Sequence, residues 1–224
     1  MNLLRLIAIA TISTLSTPAF AFLPEYRPWK QDDPSLSHDR TPARWAWGDG
    51  FFNRVEQNLV LSEELPNQII EAFAFIADDG KVYNAKFAAE SDDLQANADC
   101  FQAFVSASGY SKRDDQNSGK LRAISFPFSK TIHLKYKSDA VKRFFASHKT
   151  RQEDSVAIRN IPVDVLNRYP GIFTDEEIIG EKNIVAIPKA TYIAGIAAHA
   201  AHWQAFFEEH PTPSKEQILQ FAEK

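Results

Sequence analysis

The chain has one cysteine, Cys100, so no disulfide can form within it. Its eight glycines are scattered. Gly48 and Gly50 in WGDG are too few for a phosphate-cradling loop. There is no H-E-x-x-H, no G-x-S-x-G and no D-x-D-x-D-G, so the signatures of zinc peptidases, α/β-hydrolases and calcium loops are all missing. Neither sign of charge dominates. Lys and Arg number 25 and Asp and Glu 29, a net charge of −4 that argues against nucleic acid as a partner. Crossing a bilayer as a helix takes roughly 20 apolar residues, and no uninterrupted run reaches that length. What remains is ordinary globular material: 224 residues, 44% hydrophobic and 24% charged, enough for one medium domain or a small domain with a substantial extension.

Residues 1–21, MNLLRLIAIATISTLSTPAFA, read as a signal peptide. Arg5 supplies the positive start, Leu6 to Leu15 the short apolar core, Pro18 the break, and Ala19-Phe20-Ala21 the small-x-small cleavage site. No cysteine follows that site, which argues against a lipid anchor. The expectation is an exported protein, periplasmic or secreted, with no membrane span after cleavage. In an oxidising compartment a lone cysteine is either buried or available for an intermolecular bridge. Residues 22–44 carry Pro24, Pro28, Pro34 and Pro42 with little hydrophobic period, which predicts an extended arm.

From residue 45 the periodicities become regular. Phe52, Val55 and Leu59 predict a helix over 49–62. Ile70, Ala72, Ala74 and Ile76 alternate with Glu71, Phe73 and Phe75, the pattern of a strand. Asp78-Asp79-Gly80 then predicts a hairpin turn into a return strand over 82–88. Leu94, Ala98, Phe101 and Val105 predict a helix over 92–108, with Cys100 packed inside it. A polar loop covers 111–120. Leu121 to Phe128 is a third strand region, with Pro127 at an edge or a kink, and Thr131 to Tyr136 alternates again as the final strand. Beyond 139 the pattern is helical. Thr174 and Glu177 form a capping box, the longest helix runs about 189–209, and a last one spans 214–222.

The succession of elements over 51–137, about 40% of the chain, resembles the periplasmic C-terminal module of TonB and TolA. Four stretches carry the likeness: 51–66 FFNRVEQNLVLSEELP, 70–88 IEAFAFIADDGKVYNAKFA, the helix at 92–105, and 124–136 ISFPFSKTIHLKY. The resemblance implies an interaction surface without catalytic residues, docking partner segments against a small sheet. Those proteins keep a membrane anchor and a long spacer. Here the leader is cleavable and the 23-residue arm reaches only roughly 80 Å when extended, which argues against energy transduction from the inner membrane. The helical region 139–224 has no counterpart in that module.

Candidate chemistry is sparse. His199 and His202 sit at i, i+3 on the long helix and could share a zinc ion in a small metal-dependent hydrolase, but a site needs three or four ligands. Their bland role is a partly buried face beside Trp203. Asp78-Asp79 and Asp92-Asp93 read as turn and cap residues. The run Lys135, Lys137, Lys142, Arg143, Lys149, Arg151 reads as a solvated face. Seventeen phenylalanines permit an apolar-ligand carrier, although they could simply fill a core.

These observations predict an α+β protein. It has a small, mainly antiparallel three-stranded sheet with helices packed on one face, plus a helical C-terminal extension. The expected divisions are 1–21, 22–44, 45–138 and 139–224. The expected role is a non-enzymatic interaction module of the bacterial envelope, with no cofactor, binding an envelope protein or peptide. The expected contact strand is Thr131, Ile132, His133, Leu134, Lys135 and Tyr136, because the border of a small sheet leaves backbone groups unpaired.

Overall fold

The computed structural model describes residues 46–223, apart from 62–63, 110–111, 113–120, 131, 133 and 149–152. The expected leader and arm lie outside the described residues. In chain order the elements are α1 (Ala46–Asn58), β1 (Val60–Leu61), β2 (Ile70–Ile76), β3 (Val82–Ala89), α2 (Leu94–Ser106), β4 (Arg122–Phe128), β5 (Tyr136–Lys137), α3 (Ala140–Ser147), β6 (Ser155–Arg159), α4 (Asp164–Arg168), α5 (Asp175–Ile179), β7 (Ile184–Pro188), α6 (Tyr192–Glu209) and α7 (Lys215–Ala222). The fold is α+β, built on a three-stranded antiparallel sheet of order β3-β2-β4.

The two-residue period of β2 sets the layering. Ile70, Ala72, Ala74 and Ile76 are buried towards the helices, while Glu71, Phe73 and Phe75 stay partly exposed on the other face. Asp78-Asp79-Gly80 makes the turn to β3. Gly80 takes φ 81°, which an L side chain resists, and its N–H donates to the Ala77 carbonyl at 3.0 Å. The tip is then fastened to the rest of the molecule. Gly109 N–H donates to the Gly80 carbonyl at 2.9 Å, and Lys81 Nζ lies 2.8 Å from Glu208 of α6. β3 is irregular. The four residues Tyr83 to Lys86 oppose the three from Phe73 to Phe75, and the extra residue is absorbed at Asn84, φ 51°. After α2, strand β4 joins the far side of β2 and pairs with all seven of its residues without a shift.

α2 is the centre of the molecule. Asp93 caps it by accepting the Gln95 and Ala96 amides, and every residue from Ala96 to Val105 is buried. The Phe101 ring stands 5.0 Å from Phe87, and the Phe104 ring 5.5 Å from Phe51. Val156 and Ile158 of β6 and Ile196 of α6 share this same core. The C-terminal half therefore covers the side of α2 that faces away from the sheet. A second core gathers Trp203, Phe206 and Phe207 of α6 with Ile178, Ile179 and Ile218.

Two expectations are corrected. The C-terminal half is not all helix, because β6 and β7 pair antiparallel from Ser155↔Pro188 to Arg159↔Ile184. Nor does 131–136 form the last strand of the sheet. Thr131 and His133 lie outside the described residues. The Ile132 amide closes a turn onto the Ser129 carbonyl at 3.1 Å. Ile132 and Leu134 turn inward against the core, and only Tyr136 enters a strand, paired in parallel with Val60. Alternate inward burial in an irregular segment mimics a strand's period. The last strand of the sheet is β4.

Candidate functional site: the border and outer face of the sheet

The outer face of the sheet carries no helix among the described residues. Its centre is aromatic. Phe73 and Phe75 meet edge to face at 5.3 Å, Tyr83 sits opposite Phe75, and Lys86 Nζ lies 5.5 Å over the Phe73 ring. Beside them on β4 the outward residues are small: Ala123, Ser125 and Pro127. Ser125 Oγ donates to Glu71 across the strands. Two exposed aliphatics stand just before β2 and β4, Ile69 at 67% and Leu121 at 41% exposure.

Pro127 fixes which backbone groups are free. It has no N–H to give to β2, so it occupies an alternate position whose nitrogen points away from the sheet. By the two-residue period, Ala123 and Ser125 share that orientation. Their N–H and C=O groups face outward from β4, which has no strand on that side among the described residues. Among the described residues no hydrogen bond reaches them. The opposite border, β3, is blunted by its bulges.

The other candidates resolve into structural roles. His199 Nε2 lies 2.8 Å from the Asn160 carbonyl, which places the proton on Nε2 and leaves that nitrogen no lone pair for a metal. Trp203 Nε1 donates to the same carbonyl at 2.8 Å. Burial pulls the His199 pKa down. His202 is exposed and stacks on Phe221 at 4.3 Å. The two rings thus face different partners, and among the described residues no cluster of three or more His, Cys, Asp or Glu could hold a metal ion. Ser147, His148 and Glu181 do meet: Ser147 Oγ is 3.0 Å from His148 Nδ1 and 2.5 Å from Glu181. The order is wrong for a nucleophile, because the carboxylate holds the serine, and His148 Nδ1 is 2.9 Å from the Phe144 carbonyl. Asp79 accepts the Lys81 amide at 3.0 Å, and Asp92 exchanges two hydrogen bonds with Gln68.

Cys100 is fully buried, and desolvation pushes its thiol well up. Only a thiolate reacts, so the native thiol should undergo disulfide exchange about 100-fold or more slowly than in urea. Absorbance-followed reaction with a disulfide reagent at pH 8 checks this. Equal rates in both solvents would place the thiol at the surface.

Sequence reasoning missed a polar stripe on α2. Gln95, Asp99 and Gln102 recur at i, i+4, i+7, and Asp99 and Gln102 are buried. Gln95 exchanges two hydrogen bonds with the backbone of Ala157, at 2.8 and 2.9 Å. Gln102 exchanges two with Arg159, at 2.8 and 3.1 Å. The two side-chain amides thus act as a neighbouring strand would, closing the border of β6. Asp99 lies between them and feels the Arg159 charge, yet burial raises its carboxyl to about 7. Arg159 is 2% exposed, with Nε and Nη2 unpartnered. Their spacing was the available signal, a second stripe as regular as the apolar one.

No protein-family model matches the chain, and comparison with curated proteins and with solved structures found no match.

Proposed function

We propose that the chain is an exported, non-enzymatic interaction module of the bacterial envelope, resembling the TonB/TolA C-terminal module, which takes an extended segment of an envelope protein as a fourth strand on β4. One observation carries this reading: β4 is fully paired on one side and, among the described residues, open on the other, beside an outer face centred on Phe73 and Phe75. Backbone groups at such a border supply affinity, and alternate side chains supply selectivity. The small side chains of Ala123 and Ser125 leave room for a partner's large apolar residues to reach the phenylalanines. The border at β4 takes the place of the expected strand 131–136.

A photo-crosslinking residue placed at Ala123 or Pro127, with Leu219 on α7 as an exposed control, tests this in the exporting cell. One adduct is expected from both β4 positions and not from Leu219, mapping to an extended segment, in a mature chain that starts at Phe22. Ser125→Pro removes one of the two outward donors and should abolish the adduct while the far-ultraviolet circular dichroism is unchanged. An adduct that survives Ser125→Pro, or none at β4, overturns the reading.

A further inference from the structure

We infer that a second copy of this chain occupies the same border, β4 against β4 across a two-fold axis at Ile124, as a weak reversible dimer. The inference rests on the open border of the functional reading but not on its foreign partner.

The strand is self-complementary in one register. An isologous antiparallel pair brings together residues whose numbers have a constant sum. Centring on Ser125 would set Ala123 against Pro127, which has no N–H, and would leave both Ala123 carbonyls unpaired. Centring on Ile124 sets Ala123 against Ser125 of the second copy, twice. Both outward residues then exchange N–H···O=C bonds with full partners, four in all. Leu121 falls opposite Pro127, so an exposed aliphatic side chain covers an exposed ring. On the outer face, small residues meet small residues on either side of the axis, Ala123 against Ser125. The two aromatic ridges, Phe73 with Phe75 in each copy, then flank one six-stranded outer face. β3 cannot do this, because its bulges break the row of outward groups. A single seven-residue border with a polar centre buries little area, so the pair belongs to the weak class of interfaces.

The consequence is competition. A chain whose border is covered by a copy cannot accept a partner strand there, so self-pairing protects the border until a better strand displaces it.

Sedimentation equilibrium of the purified protein from about 5 to 500 µM tests the pairing, a range suited to weak interfaces. The weight-average mass should climb towards twice the monomer, and Ser125→Pro should weaken association about tenfold or more. Register is read separately. Ala123→Cys and Ser125→Cys chains are mixed and oxidised, Cys100 being buried. The mixed disulfide should exceed either like-with-like product. A monomer at every concentration overturns the inference, as does a dimer untouched by Ser125→Pro or an excess of like-with-like disulfides. If the chain is monomeric while the β4 crosslink still captures an envelope segment, self-pairing fails and the functional reading stands. If the dimer forms in register while no such crosslink appears, the reverse holds.

Discussion

Gln102→Ala should cost about 3 kcal/mol of stability, comparable to emptying an aromatic site in the core. The side chain is polar and sits on a helix, so propensity alone would forecast almost nothing, since alanine is the better helix former. The cost comes from what the amide leaves behind. Its Nε2 donates to the Arg159 carbonyl and its Oε1 accepts the Arg159 amide, both in the buried interior. Removing the side chain strands two backbone groups, each worth roughly 1–3 kcal/mol when left without a partner. Gln95→Ala should cost less, because its two bonds to Ala157 are only part-buried and water can replace them. Gln102→Glu is the sharper variant. A carboxylate can still accept from the Arg159 amide, but it cannot donate to the carbonyl and it adds charge beside Asp99. Urea unfolding measures the cost, and hydrogen exchange at the Arg159 amide locates it. A loss under about 1 kcal/mol with unchanged exchange would mean that β6 does not depend on α2 for its border.

That contact also explains where reading the sequence stopped. The hairpin was legible because Asp78-Asp79-Gly80 acts locally, with glycine at the positive φ a tight turn needs. The cap at Thr174 was legible for the same reason, as both of its hydrogen bonds span three residues. The apolar stripe of α2 was legible as a stripe. Its polar counterpart was not. A period of 3.6 says which residues share a side of a helix and nothing about what covers that side. Gln95, Asp99 and Gln102 look solvated until β6, about sixty residues away, is laid across them. β6 and β7 were missed for a related reason. Each has five residues, and neither has a neighbour in sequence to pair with. The segment 131–136 failed differently, because inward Ile132 and Leu134 produce a strand's alternation without a strand. The border of β4 needed three dimensions, although Pro127 already marked an outer strand.

The second large effect is on pH. The folded chain should lose stability through Asp99 as pH rises from about 4 to about 7. Burial is the main cause that raises the Asp99 carboxyl from 3.8 to about 7, and Asp93 adds to it; the Arg159 charge and the Gln95 hydrogen bond pull the other way. Below 3.8 folded and unfolded chains both hold the proton, and the contribution is fully present. Between 3.8 and about 7 the unfolded chain has released it and the folded chain has not, so each pH unit removes roughly 1.4 kcal/mol. Above about 7 the loss is complete, on the order of 4 kcal/mol. Other groups slope the opposite way and must be subtracted. His199, held low by burial, destabilises the fold as pH drops below 6.5. Glu177, held at about 2 chiefly by its hydrogen bond from Lys215, adds a loss as pH falls from 4.5 towards 2. Asp99→Asn keeps the shape and the Gln95 contact but cannot ionise. The difference between its unfolding free energy and that of the unaltered chain therefore isolates Asp99. That difference should grow in favour of the variant between pH 4 and 7 and then level off. Arg159→Met, which removes the opposing cation, should move the levelling point upward. A difference that is flat from pH 4 to 8 would mean that Asp99 is ionised throughout. Arg159 would then be its salt partner, and the junction of α2 with β6 an ion pair bracketed by two glutamines.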